Sequence, residues 1–509
     1  MVHSLVRSLA RRIAPLAIGA TTIGAAAVSS PAATAAVTFH PNVTDVQFIS
    51  ASETPPTEAQ CNSVSRRCFT PTAEEVSYNL PPLYAQGLMG QGQTIVIVDS
   101  FGSETIQNDL HVFNNAFNLP HMCGEANYTC QPGDPTFSEL QQGNTSTNPN
   151  PGKNGTGQEN RAAWALEVSL DVEWSHSMAP KANILLVTTP TAETLGVQGF
   201  PDFFKAEDFV ITHHLGSVIS QSFASAEEAF GSSQSLLNLR FAFQDAVANH
   251  VTVFGSSGDG GTSNIIKTPV KNPTTLPNPT VEWPASDPLV TGVGGTYECT
   301  NPTVGSQTAD QTQPPARCKA GLNPTGDREL GWIASGGGYS HVFSRPDFQS
   351  TLPAGSTAIP SGQRGVPDIA LQASATTGML VYITNPGYTG IGCPGGTLCS
   401  SGWYVVGGTS SSSPQWAGLI AIANQLNQRQ HPGSANLGYI NPALYKMASN
   451  PAMYAADFYD VTHGPANNPS PTAQNPGYPD STGWDPVTGL GTPNAANLIP
   501  DLVATVSGP

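Results

Sequence analysis

The sequence predicts an α/β fold built on a mostly parallel sheet. Runs such as Gly92–Ser100 (GQTIVIVDS) and Asn183–Thr188 (NILLVT) are continuously apolar, as strands buried on both faces are. Helical stretches alternate with these runs, which points to right-handed crossovers between parallel strands. With 39% hydrophobic residues, 51 Gly and 45 Pro, the 509-residue chain can bury a large core and join it by many turns.

Taken in order, residues 1–36 read as an export signal. Arg7, Arg11 and Arg12 precede an apolar run from Ile13 to Val28, and Ala33-Thr34-Ala35-Ala36 offers a small-residue cleavage site. Residues 37–76 are rich in Thr, Pro and Ser and are expected to form a short, loosely ordered extension. Residues 77–509 form the main domain. Its first strand is Gly92–Ser100, and 128–160, rich in Asn, Gly, Thr and Pro, reads as a long surface insertion. A helix over 160–177 follows, then strands at Asn183–Thr188 and Ser217–Phe223. A helix over 234–249 leads to a strand at Val251–Asp259. Leu289–Thr296 and Met379–Thr384 complete the strand set, and a last helix is expected after Pro414.

Eight cysteines fall as four close pairs: Cys61 and Cys68, Cys123 and Cys130, Cys299 and Cys318, Cys393 and Cys399. Short loops close at the lowest entropic cost, so four local disulfides and an oxidising, extracellular location are expected. No pair has the CxxC spacing of a zinc site. The net charge is −17, with only 19 Lys and Arg. So few cations exclude nucleic acid and anionic membranes as partners. After the signal no run of 18 apolar residues occurs, so no membrane association is expected. A monomer is expected.

Chemistry concentrates at three places. Gly407–Gln425 (GGTSSSSPQWAGLIAIANQ) sets Ser410 near a helix N-terminus, where backbone N–H groups can stabilise an oxyanion. A serine nucleophile needs a base. None of the eleven histidines sits in an HGTH-like helix start; His176 and the pair His213-His214 read as ordinary core or surface residues. Instead, Trp164–Trp174 (WALEVSLDVEW) sets Glu167 and Asp171 four residues apart, on one face of a largely buried helix. Carboxyls held together in an apolar setting share a proton, which raises one pKa of the pair. Such a pair can accept a hydroxyl proton in acid, where an imidazole is already charged. Asp259, in SSGDGG, follows a strand end, where open parallel sheets place their sites.

The segment GTSSSSPQWAG (408–418), the missing HGTH and the E-x-x-x-D in its stead resemble the sedolisin, or serine-carboxyl peptidase, family of the subtilisin-like superfamily. WPASDPLVTGVGGT (283–296), SGGGYSHVFSRPDFQ (335–349) and RGVPDIA (364–370) strengthen the likeness, which runs from about residue 78 to the C-terminus. It implies a three-layer, subtilisin-like fold with a seven-stranded, mostly parallel sheet flanked by helices. It also implies Ser410 as nucleophile, Glu167 as general base, Asp171 as the carboxyl that tunes it, and Asp259 in the oxyanion hole. A structural Ca²⁺ is implied too, held by Asp460, the carbonyls of Val461, Ser481 and Gly483, and Asp485. The resemblance thus leads to a secreted endopeptidase that cuts polypeptides in acid. The alternatives are a tripeptidyl-peptidase and a catalytically silent binding protein on the same scaffold. Two departures stand out. The family usually carries a large folded pro-domain where this chain has residues 37–76. Asp99, after the first strand, matches the position of the subtilisin aspartate but has no histidine to serve, so a structural role is expected in preference to that of a supporting acid.

Overall fold

The apolar run at Thr94–Ser100 forms strand β1, at the centre of an eight-stranded sheet. The computed structural model describes residues 40–41, 44–142, 156–191, 197–267, 274–384 and 400–507. The signal segment 1–36 and the Cys393–Cys399 pairing lie outside the described residues. The other strands are β2 (Phe137–Gln141), β3 (Asn183–Thr189), β4 (Val218–Gln221), β5 (Thr252–Ser256), β6 (Thr291–Glu298), β7 (Glu329–Gly331) and β8 (Ile369–Gln372). Their spatial order is β2-β3-β1-β4-β5-β6-β8, all parallel, with β7 antiparallel beside the end of β6. The seven parallel strands match the expected sheet.

Period-two alternation along β1 divides the core into layers. Ile95 and Ile97 face one side, where α2 (Thr156–Met178), α5 (Thr409–Gln430) and α6 (Ala495–Ser507) pack. Val96 and Val98 face the other, against α3 (Phe200–Thr212) and α4 (Phe241–Ala248). This is the helix–sheet–helix arrangement of the subtilisin-like class. α2 is buried on every side described: Val168 and Val172 join the α5 side, while Leu166, Leu170 and Trp174 join a second, four-stranded sheet. Burial all round explains why α2 shows no amphipathic stripe.

Three expectations change. The extension over 37–76 is not loose in its described part. Thr44–Ser50 and Arg67–Phe69 are the two outer strands of that second sheet, around Thr377–Ile383 and Gly402–Gly407. The Cys61–Cys68 disulfide and the buried Arg67, which donates to the carbonyls of Pro314, Thr300 and Asp310, fasten it there. Its polar composition hid strands whose partners lie far along the chain. The insertion over 128–160 contains the edge strand β2, and its Cys123–Cys130 disulfide ties the preceding loop. Finally, α5 begins at Thr409, before Pro414. Gly408 makes the turn into it at φ 121°. Pro414 then sits inside the helix, where it has no N–H to give to the Ser410 carbonyl. The third described disulfide, Cys299–Cys318, also forms as expected.

Candidate active site

Three strand ends and two helices converge at the carboxyl edge of the sheet, where open α/β sheets bind their ligands. Asp99 is the penultimate residue of β1, Ser222 follows β4 and Asp259 follows β5. α2 brings Glu167 and Asp171 from the layer above. α5 brings Ser410 in its first turn, so the hydroxyl shares the positive end of a 22-residue helix. The structure thus gathers Glu167, Asp171, Ser410 and Asp259 from distant parts of the chain.

Hydrogen bonds link the set through Ser222. Its hydroxyl donates to Asp171 Oδ1 at 3.0 Å, and its carbonyl accepts from Ser410 Oγ at 3.4 Å. Asp259 Oδ1 accepts from the Thr409 amide at 2.8 Å and the Thr409 hydroxyl at 3.0 Å. The same hydroxyl oxygen accepts from the Gly258 amide at 3.0 Å. Asp259 is therefore fastened to the residue before Ser410.

The electrostatics are those of a dry carboxyl cluster. Asp99, Glu167, Asp171 and Ser410 are all 0% exposed. Burial pushes the Glu167 carboxyl well above the usual range, and the neighbouring charges of Asp99 and Asp259 push the same way. The hydroxyls of Ser410 and Ser222 lie close enough to ease its ionisation, although neither Glu167 oxygen completes a well-formed hydrogen bond. Burial, then Asp99, then Glu167 raise Asp171. Burial alone raises Asp99 to about 8. Desolvation disfavours each anion, and like charges penalise a second one, so the three carboxyls titrate as a set. Asp99, expected to be structural rather than a supporting acid, would when ionised act on both partners more than any other neighbouring charge. Ser222 and Thr409 carried no signal in the sequence beyond lying beside a strand end or the helix start.

The histidines singled out in the sequence do not enter this cluster. His176 lies in the last turn of α2, fully buried, donating to the Pro120 carbonyl at 2.7 Å; burial lowers its pKa to about 4. His213 and His214 follow α3, with His213 stacked on Phe209.

The segments expected to hold Ca²⁺ also meet. The Gly483 amide donates to both oxygens of Asp460, at 3.1 and 3.0 Å. Asp485, fully buried, accepts from the amides of Ser481, Val487 and Thr488. Ser481 lies outside the left-handed backbone region, so a carbonyl ligand there needs no glycine. Beside them, both carboxylate oxygens of Asp480 are buried and find no hydrogen-bond partner among the described residues. An oxygen-only donor set around under-compensated carboxylates fits a hard divalent cation.

No protein-family model matches the chain. It is 27% identical over 462 residues to kumamolisin of Bacillus sp. strain MN-32, covering 88% of this chain and 66% of that protein. It is 27% identical to tripeptidyl-peptidase 1 of Macaca fascicularis over 362 residues, 68% of this chain and 53% of that one. A probable tripeptidyl-peptidase SED3 of Arthroderma benhamiae is 27% identical over 373 residues, 67% and 53% of the two chains. The chain therefore spans about half to two thirds of the length of these relatives. Among solved structures, Pseudomonas sedolisin (serine-carboxyl proteinase) complexed with two molecules of pseudo-iodotyrostatin shares the fold. Its TM-score is 0.60 at 24% identity, over 86% of this chain and 98% of that one. Likeness along most of the chain and a common fold agree with the serine and carboxyl motifs and support the resemblance to the sedolisin, or serine-carboxyl peptidase, family.

Proposed function

We propose that the protein is a secreted, acid-acting serine endopeptidase. The observation that carries this reading is the meeting of the Ser410 hydroxyl with a buried carboxyl set that includes no histidine among the described residues. Ser410 Oγ attacks a peptide carbonyl carbon while Glu167 takes its proton. Glu167 can be the ionised member because Asp99 and Asp171 hold protons beside it. As the C–N bond breaks, that proton passes to the leaving amine, and water then cleaves the acyl–serine ester by the same route. Asp259, protonated, donates to the oxyanion of each tetrahedral intermediate.

The strand Phe223–Ala226, next to Ser222, suggests how a peptide docks. It pairs with Glu282–Trp283 on one side and, antiparallel, with His40–Pro41 on the other. That second edge accepts an extended chain, which is the geometry of β-strand addition. A substrate strand laid there would run beside Ser222 toward Ser410, and His40–Pro41 must first leave that edge. Asp460, Val461, Ser481, Gly483 and Asp485 would hold one Ca²⁺, which supplies structural cross-linking rather than chemistry. The disulfides agree with export to an oxidising medium.

The test is a pH–rate profile on denatured protein. Cleavage should peak in acid and vanish in Ser410→Ala. A maximum at pH 7–8, or undiminished cleavage by the variant, overturns the mechanism. A tripeptidyl-peptidase reading is favoured by the names of two relatives. Peptides with blocked N-termini separate the two, since only the endopeptidase cuts them.

A further inference from the structure

Away from the carboxyl cluster, helix α1 (Ile106–Phe117) and the loop after it bring two histidines and a glutamate together. His111 lies within α1; His121 and Glu125 lie in the loop. The Nδ1 atoms of His111 and His121 are 3.2 and 2.7 Å from the same oxygen, Glu125 Oε2. One ligand atom from each of the three residues falls within 4.8 Å of the other two. Glu125 Oε1 accepts from Asn114 Nδ2 and from the Met122 amide, both at 2.6 Å. The carboxylate is fully buried, while the histidine side chains are 21% and 27% exposed. An ion can therefore arrive from solvent onto an anchored anion.

The surroundings hold the donors in place. His111 stacks on His121 with centroids 5.3 Å apart, and His121 on Tyr128 at 4.6 Å. The Cys123–Cys130 disulfide brackets Glu125. Gly124, at φ 113°, makes the turn where any Cβ would strike the Phe137 carbonyl. His111 Nε2 lies 2.9 Å from the Asn115 amide. An amide can present either its nitrogen or its oxygen to such a contact. With the oxygen turned inward it accepts Nε2–H, which leaves the Nδ1 lone pair directed at Glu125 Oε2. Orienting partners of this kind fix the tautomer of metal-binding histidines.

We propose that His111, His121 and Glu125 form a site for a zinc-type divalent ion, which pins the loop 118–134 to α1. Two imidazole nitrogens and one carboxylate oxygen are a zinc donor set, with a fourth position left for water. The set is too rich in nitrogen and too small for Ca²⁺. The neighbouring sulfurs take no part, because both are in the disulfide. This site is distinct in place and donor type from the one around Asp460 and Asp485, and it does not depend on the proposed peptidase activity.

The test uses the full chain at pH 7.5, stripped of transition metals and kept in Ca²⁺. Titration with Zn²⁺ should show saturable binding of about one ion per chain and a melting temperature raised by several degrees. Both effects should be lost in His111→Gln and in His121→Gln. These partly exposed positions spare the buried glutamate, and melting without zinc shows that each variant folds. X-ray absorption on zinc-loaded native protein should give low-atomic-number ligands, two of them imidazole, at about 2.0–2.2 Å. A purely hydrogen-bonded cluster would show no saturable zinc binding. That result, binding retained in both variants, or displacement by excess Ca²⁺ would overturn the proposal.

Discussion

Asp259 accepts both the backbone amide and the hydroxyl of Thr409 on one oxygen, Oδ1. In the proposed mechanism the proton of its acid form sits on Oδ2, the oxygen that would donate to the oxyanion. Asp259→Ala should lower kcat/KM about 10²–10³-fold, the usual loss of one oxyanion donor. Asp259→Asn keeps the acceptor for Thr409 and offers an amide N–H that does not ionise. It should retain more activity than Asp259→Ala and carry that activity further toward neutral pH. Profiles of kcat/KM against pH for both variants check this, and an unmoved alkaline limb in Asp259→Asn removes Asp259 from the oxyanion site.

Ser222 donates to Asp171 and eases ionisation of both Asp171 and Glu167. Ser222→Ala takes away a donor that favours the anions, so the carboxyl set should ionise only at higher pH. The acid limb of the kcat/KM profile should move upward, with a stability loss of about 1–3 kcal/mol for the unsatisfied buried oxygen. A variant that lost activity equally at every pH would point to a geometric role instead.

Asp99 links the site to stability. Its folded pKa is raised to about 8 by burial, above the ordinary aspartate value near 4. The folded state thus holds a proton that the unfolded chain releases. The stability this gives is full below about pH 4 and is lost as pH rises toward 8, at about 1.4 kcal/mol per pH unit. Asp109, raised to about 7, and Glu207, raised to about 8, both chiefly by burial, act in the same direction. Urea midpoints should fall from pH 4.5 through 6 to 7.5, and Asp99→Asn should make that fall shallower. A midpoint that rises over this range contradicts the protonated cluster.

Much of this was legible in the sequence because it is local. β1 and β3 show as apolar runs, and the four-residue spacing from Glu167 to Asp171 sets both carboxyls on one helix face. Ser410 stands out through its motif. What escaped depends on distant pairing. Thr44–Ser50 is polar in texture and becomes a strand only because Gly402–Gly407 offers an edge. The role of Asp99 follows from α2 lying over the end of β1, which no local pattern encodes. Pro414 misled because a proline normally marks the first turn of a helix, whereas here Gly408 had already started it.

The carboxyls around Asp460 should make calcium binding grow with pH. Burial raises Asp485 to about 7 and also raises Asp460. A cation needs both ionised, so Ca²⁺ competes with protons for the site. An ion bound only to the folded state stabilises it by about 2.7 kcal/mol at a concentration 100 times its Kd. Chelation should therefore lower the melting temperature, more at pH 7 than at pH 5.5. Asp485→Asn should remove most of that sensitivity, whereas His121→Gln should leave it intact. Melting curves with and without chelator at both pH values decide the matter: coincident curves at pH 7 argue against a calcium ion between Asp460 and Asp485.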